Sequence, residues 1–184
     1  MVYVILGTGF EEVEAIAPVD ILRRCGVTVK TAGIGGLQIT GAHGITVTAD
    51  CTVDELDLDV MDMIVLPGGL GGVASINSSE AALAAVSKAW NDGKYVAAIC
   101  AGPTVLARLG LTAGKSVTGY PGTEPQLGDC QYVSDAPVVV DGRLITSRGP
   151  GTALLFGWKL AEILCGAEAA AQVAAGMLLT EVYA

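Results

Sequence analysis

The sequence contains few of the residues on which metal sites and nucleic-acid interfaces depend. Its 184 residues include one histidine, and its five cysteines form no Cys-x-x-Cys pair. These counts argue against a zinc site, because such sites need closely spaced Cys and His ligands. Lys and Arg number 10 against 19 acidic residues, which gives a net charge of −9. A chain of this charge is not expected to bind nucleic acid or an anionic membrane surface.

Long apolar runs are missing too, although 52% of the residues are hydrophobic. A membrane-spanning helix needs about 20 consecutive apolar residues. The nearest segment, residues 94–107, is interrupted by Gly102-Pro103. The N-terminus has no basic region and is soon followed by Glu11, so no signal peptide is predicted. Isolated thiols are typical of reducing compartments, and we therefore expect a cytoplasmic protein with no membrane partner.

Short apolar runs alternate with helical patterns along the whole chain. Continuous apolar runs that end at Gly or Pro or in Cys indicate buried strands at 2–7, 61–66 and 95–100. Further strands are predicted at 27–33, 116–118, 132–140 and 143–147, with short ones within 38–50 around a Gly41–Gly44 turn. Helices are predicted at 12–25, 79–91, 104–110, 150–165 and 167–179, the first with Val13, Ile16, Val19 and Leu22 on one face. This alternation predicts one α/β domain, residues 1–184, with a mostly parallel sheet and helices on both faces.

The strongest local signal for chemistry lies where the third buried strand ends. Ala98-Ile99-Cys100-Ala101-Gly102-Pro103 follows the small-x-nucleophile-x-Gly pattern of a nucleophile elbow, a strained turn between strand and helix. The N-terminus of the following helix is expected to favour the thiolate and lower the pKa of Cys100. A buried structural cysteine is the alternative, because cysteine also packs as a small hydrophobic residue.

Two other segments follow buried strands and are expected at the same edge of the sheet, where ligands bind in such folds. Leu66-Pro67-Gly68-Gly69-Leu70-Gly71-Gly72 predicts a turn with exposed amides that can stabilise an oxyanion, or else an ordinary turn. Glu11-Glu12-Val13-Glu14 offers an acid or base, or else only favourable charge at a helix N-terminus. The residues alone do not choose among the three glutamates. His43 is interpreted as a solvated turn residue, with a contribution across a dimer interface as the alternative.

Taken together, these segments resemble the DJ/PfpI superfamily, within the class I glutamine-amidotransferase-like group. The matching residues are Glu11–Glu14 with Pro18–Arg24, Leu66–Gly69, Ala97–Pro103 and Thr146–Thr152, in the expected order. The match is to the DJ branch. The resemblance implies a flavodoxin-like three-layer α/β sandwich and a homodimer. It also implies Cys100 as the reactive, oxidisable cysteine, Glu14 as its protonated partner, and Gly69 and Ala101 as sources of oxyanion-hole amides.

One position departs from the family pattern. Many relatives have a His before Pro after the elbow helix, where this chain has Tyr120-Pro121. Tyrosine donates a hydrogen bond but is a poor base at neutral pH, which weakens a protease interpretation. Tyr120 and His43 are therefore accessory candidates at most.

The resemblance implies a cofactor-free and metal-free enzyme acting on small reactive carbonyls, of the glyoxalase III or deglycase type, which would convert methylglyoxal to lactate. A non-enzymatic, peroxide-responsive redox sensor or chaperone is the alternative. A role in thiamine or thiazole biosynthesis is weaker, because basic residues near the expected site are few.

Overall fold

The computed structural model describes residues 1–179 and centres on a seven-stranded sheet. The strand order is β10-β11-β7-β6-β1-β2-β5, and every neighbouring pair is parallel except β10 with β11. These strands are β1 (Val2–Leu6), β2 (Val29–Gly33), β5 (Cys51–Thr52), β6 (Met63–Leu66), β7 (Tyr95–Ile99), β10 (Val138–Asp141) and β11 (Leu144–Ser147). Two small sheets pair β3 (Gln38–Thr40) with β4 (Thr46–Thr48) and β8 (Ser116–Val117) with β9 (Gln131–Tyr132).

Six helices cover the two faces of the sheet within residues 1–179. They are α1 (Glu12–Arg24), α2 (Leu70–Ser78), α3 (Glu80–Asn91), α4 (Pro103–Arg108), α5 (Ala153–Cys165) and α6 (Ala167–Gly176). Alternating residues of β1 face opposite cores: Tyr3 packs with α2, α3 and α4, and Val4 packs with α1, α5 and α6. The prediction of a flavodoxin-like sandwich with a mostly parallel sheet is confirmed. Among the described residues, no helix has the length and apolar character needed to cross a bilayer.

Helix α2 was not predicted. The sequence suggested a turn with exposed amides from Leu66 to Gly72. Two consecutive glycines also have low helix propensity. In the structure the turn ends at Gly69 and the helix begins at Leu70. The glycines serve close packing: a Cβ on Gly72 would lie 2.7 Å from the Cα of Phe10. Tertiary contact therefore overrides local propensity at this segment.

Helix α1 has the predicted length but a different buried face. Val19 and Leu22 are buried as expected, whereas Val13 is 50% exposed and Ile16 is 41% exposed. The helix is rotated so that Glu12 and Glu14 are buried.

The predicted strand at 132–140 is also wrong in its extent, because β9 and β10 are two separate strands in different sheets.

Candidate active site

Three strands that are neighbours in the sheet carry the site at their carboxyl ends. The order β7-β6-β1 brings together the segments that follow these strands, which contain Cys100, Gly68 and Glu14. Parallel strands end at the same edge, so their connections to the following helices converge there. The convergence expected from the sequence is present in the structure.

Cys100 occupies a tight turn between β7 and α4. Its φ of 63° is in the left-handed region, which is uncommon for a residue with a Cβ. The turn is held from both sides: the Cys100 N–H donates to the Ser147 carbonyl at 3.0 Å, and its carbonyl accepts from the Tyr120 N–H at 2.9 Å. These bonds fix the partly buried thiol at the sheet edge.

Glu14 lies beside this thiol and is completely buried. Its Oε2 accepts a hydrogen bond from the Gly68 N–H at 2.8 Å. Its Oε1 has no hydrogen-bond partner of good geometry among residues 1–179, although the Cys100 thiol interacts with the carboxyl group. Gly68 must be glycine here, because a Cβ would lie 2.6 Å from both the Cys100 Cβ and the Glu14 Oε2. A buried carboxyl with an unused oxygen is suited to exchange a proton with a substrate.

The two groups titrate as a coupled pair. Burial raises the pKa of Glu14 to about 7. Burial and the adjacent Glu14 raise the pKa of Cys100 to about 12, and the Ala101 and Gly69 amides oppose this only in part. Between these values the pair holds one proton and one negative charge. The expected lowering of the Cys100 pKa is wrong, because desolvation and the carboxylate outweigh the helix N-terminus.

The amides of Gly69 and Ala101 interact with the Cys100 sulfur from two different turns. Gly69 has a φ of +83°, and a Cβ on it would lie 2.4 Å from the Gly9 carbonyl oxygen. Its backbone conformation therefore depends on glycine. Two N–H donors beside the thiol could stabilise an oxyanion on a carbon that becomes bonded to the sulfur.

Glu12 and His43 form a second polar pair at the mouth of the site. The His43 N–H donates to Glu12 Oε1 at 2.7 Å, and His43 Nδ1 lies 2.9 Å from Glu12 Oε2. The histidine side chain is 68% exposed, in agreement with a turn residue, yet it lines the same cavity as Cys100. Atoms of Glu11, Glu12 and His43 lie within 4.8 Å of one another, so these residues could ligate a cation. Both Glu12 oxygens are already hydrogen-bonded to His43, however.

Cys100, Glu14 and His43 line one cavity of about 630 Å³. Tyr120 lies in its wall and is 51% exposed. The Thr146–Thr152 segment adds Pro150, and it is braced by a 2.7 Å hydrogen bond between the Ser147 and Thr152 hydroxyls. The cavity is lined by Glu11, Glu14, His43, Gly69, Leu70, Cys100, Ala101, Tyr120, Pro121, Gly122, Thr123 and Pro150.

A sequence profile described as the DJ-1/PfpI family matches residues 1–163. The chain belongs to the DJ-1/PfpI family. It is 44% identical to Protein dj-1beta of Drosophila melanogaster over 96% of this chain and 95% of that protein. The crystal structure of Drosophila DJ-1beta superposes with a TM-score of 0.93, covering 96% of each chain.

Two further DJ-1/PfpI relatives have informative descriptions. Deglycase TK1284 of Thermococcus kodakarensis is 36% identical over 85% of this chain and 93% of its own length. A structure of Toxoplasma gondii DJ-1, described as oxidized, is 33% identical with a TM-score of 0.91 and covers 96% of this chain and 97% of its own.

Sequence reasoning missed Gly68 and the Glu12–His43 pair. Gly68 was visible only as part of a glycine-rich turn, and nothing distinguished its amide from that of Gly69. The contact of Glu12 with His43 joins positions 31 residues apart in the chain. No local pattern reports such a contact, although the solitary histidine was a signal to follow.

Proposed function

We propose that this DJ-1/PfpI protein is a cysteine-dependent enzyme acting on small reactive carbonyls, of the glyoxalase III or deglycase type, with no cofactor. The observation that carries the proposal is the Cys100–Glu14 pair, which shares one proton between a nucleophile and a buried acid near neutral pH. The deglycase relative supports the same class of substrate. The cavity is large enough for a three-carbon dicarbonyl such as methylglyoxal.

The first step is addition of the Cys100 sulfur, as thiolate, to the aldehyde carbon of methylglyoxal. A C–S bond forms, and the carbonyl π electrons move to oxygen, where the Gly69 and Ala101 amides stabilise the charge. Protonation of that oxygen by Glu14 gives a hemithioacetal. Because Glu14 starts protonated when the charge is on sulfur, the pair supplies both the nucleophile and the acid.

The second stage moves a proton between the two oxygenated carbons. Glu14, now a carboxylate, removes the proton from the former aldehyde carbon to give an enediolate and returns it to the adjacent carbon. The hydroxyl proton passes from the first oxygen to the second, so no proton is gained or lost in this stage. The product is a thioester on Cys100, which water hydrolyses to lactate and free thiol. Overall, methylglyoxal and one water become lactate, with no external oxidant or reductant.

The test is lactate formation from methylglyoxal in the absence of glutathione. Wild-type protein should produce lactate, and Cys100→Ala should abolish it. Cys130→Ala is the matched control, because Cys130 is also a free, partly buried thiol but does not line the cavity. Turnover by Cys100→Ala equal to wild type would exclude this mechanism. Chiral analysis of the product identifies the face of the enediol that Glu14 protonates.

A peroxide-responsive sensor or chaperone is the second candidate, favoured by the description of the Toxoplasma relative as oxidized. A half-buried thiol held between two amide donors would oxidise to sulfinate, whose oxygens those amides can bind. Intact mass should then show two added oxygen atoms confined to Cys100. Uniform oxidation of all the cysteines would contradict a sensor role.

A thiazole-phosphate site has less support, since His43 is the only basic residue in the described cavity wall.

A cytoplasmic homodimer of single-domain chains is part of the proposal. Apolar side chains on α1 and in the β3–β4 region are exposed, with Val13 at 50%, Leu37 at 45% and Ile45 at 58%. A second copy of the chain would cover them. Sedimentation should give twice the chain mass of 18.6 kDa, and Ile45→Glu should shift it toward the monomer. A monomer at all concentrations would contradict the dimer.

A further inference from the structure

Two cysteines outside the site lie side by side. Cys25 caps the C-terminal end of α1, and Cys165 is the last residue of α5. The Cys165 thiol donates to the Cys25 carbonyl oxygen at 3.8 Å. Both thiols are free and partly exposed. Burial first, and then the neighbouring Cys165, raise the pKa of Cys25, as expected for adjoining thiols.

The packing of the two helices independently brings these thiols together. Helices α1 and α5 lie on the same face of the sheet and follow β1 and β11, which run in the same direction. They approach closely at Gly157, where a Cβ would lie 2.9 Å from the Cα of Pro18. At about 1.5 Å per residue, Cys25 lies about 10 Å beyond Pro18 and Cys165 about 12 Å beyond Gly157. The thiols therefore sit at matching heights at the same end of a tightly packed helix pair.

We propose that Cys25 and Cys165 form a reversible intramolecular disulfide under oxidising conditions. One thiol loses its proton and attacks hydrogen peroxide as the thiolate, which breaks the O–O bond and gives a sulfenic acid. The hydroxide that leaves takes up the released proton and becomes one water. The second thiol attacks the sulfenic sulfur, forms the S–S bond and releases a second water. Two thiols are oxidised by two electrons and one peroxide is reduced, and a dithiol reverses the bridge by exchange.

The bridge would join positions 140 residues apart in the chain. Closing a loop of this length restricts the unfolded chain far more than the folded one, so the oxidised protein should be the more stable form. It would also fasten the helix that carries Glu14 to the helix that follows the Thr146–Thr152 segment. This reaction uses neither Cys100 nor the proposed carbonyl chemistry, so each can be tested separately.

The test is intact mass and non-reducing peptide mapping of the full-length protein after hydrogen peroxide. The expected product has lost two hydrogen atoms, contains a peptide pair joined through Cys25 and Cys165, and is restored by dithiothreitol. Oxidation of Cys100 adds oxygen and is therefore distinguished in the same spectrum. The bridge should form equally in Cys100→Ala, persist in the control Cys51→Ser, and vanish in Cys25→Ser and in Cys165→Ser.

Thermal unfolding gives a second readout. The bridged protein should unfold at least about 5 °C above the reduced protein, and Cys165→Ser should show no such difference. Mapping of wild type does not depend on any variant folding. The proposal is overturned if Cys25 and Cys165 stay reduced, if they gain oxygen separately, or if they pair with other cysteines or with a second chain.

Discussion

Glu12 and Glu14 occupy the same turn of α1, yet their surroundings drive their ionisation in opposite directions. Both are buried, with 6% and 0% exposure. Burial opposes ionisation of Glu12, but hydrogen bonds from the His43 side chain and amide, with help from the Ile45 amide, together lower its pKa. Glu14 receives one good amide hydrogen bond, from Gly68, and burial raises its pKa to about 7.

The comparison separates two uses of a carboxylate. Glu12 has its charge satisfied by the turn that contains His43, so it holds the cavity mouth in place. Within residues 1–179, Glu14 Oε1 has no hydrogen-bond partner of good geometry, and the carboxyl lies beside the Cys100 thiol, so it can hold or release a proton. Burial alone therefore does not make a carboxyl a proton carrier, and the number of donors that face it decides the outcome.

The largest expected effect concerns turnover by the two glutamine variants. Glu14→Gln removes the carboxyl that is proposed to carry the proton beside Cys100, and we expect kcat/KM for methylglyoxal to fall by about 100-fold or more. Glu12→Gln keeps the shape of the helix and should cost less than about 10-fold. Steady-state kinetics on both variants checks this. Equal losses would show that the two carboxylates do not differ in function.

The second prediction concerns stability against pH. On folding, the pKa of Glu14 rises from its ordinary value of 4.5 to about 7. The contribution of this group to the free energy of unfolding is therefore fully present below pH 4.5 and is lost as the pH rises through about 7. Glu14→Gln removes this loss and should stabilise the protein by about 3 kcal/mol at pH 8, with little effect at pH 4. Denaturant unfolding at the two pH values measures it. Parallel curves for wild type and variant would contradict the raised pKa.

The third prediction concerns the glycine that separates the two catalytic candidates. Gly68→Ala places a Cβ 2.6 Å from the Cys100 Cβ, and it should cost about 2 kcal/mol of stability through overpacking. Gly176→Ala is the matched control, because nothing lies within 4 Å of its Cβ and it is helical. The control should be neutral or slightly stabilising. Denaturant midpoints of both variants measure these effects. Equal midpoints for Gly68→Ala and Gly176→Ala would show that the site accommodates a Cβ at Gly68.

The smallest expected effect is electrostatic. Hydrogen bonding to Glu12 first, then the charges of Glu11 and Glu12, raise the pKa of His43. Glu12→Gln should therefore lower the pKa of His43, whereas Glu14→Gln should leave it nearly unchanged. Proton NMR of the imidazole follows this directly, because the chain has one histidine. An unchanged titration in Glu12→Gln would mean that the pair does not persist in solution.

Much of the sheet and one part of the site were predictable from local pattern. The apolar runs at 2–7, 61–66 and 95–100 contain β1, β6 and β7 within one or two residues of their ends. Small residues around Cys100 predicted a strained turn, and its φ of 63° agrees. These features depend on neighbours in the chain, which is why a single sequence reports them.

Other features depended on partners distant in the chain. The face that α1 buries could not be read from its apolar residues, because the helix turns Glu12 and Glu14 inward to meet His43 and Gly68. The pKa of Cys100 was predicted in the wrong direction, since the helix N-terminus is local but the burial and the carboxylate are not.

The sequence by itself determined the three buried strands β1, β6 and β7, the strained cysteine turn and the convergence of three segments at one sheet edge. The resemblance to a family selected Glu14 from three glutamates, but only the tertiary structure decided what that selection means physically. The tertiary structure buries Glu12 and Glu14 in one helix turn and supplies Glu12 with several donors. Among the described residues, it gives Glu14 one good amide donor and leaves its other oxygen without one. Hydrogen-bond partners and desolvation are set by residues far apart in the chain, and proton affinity follows from both.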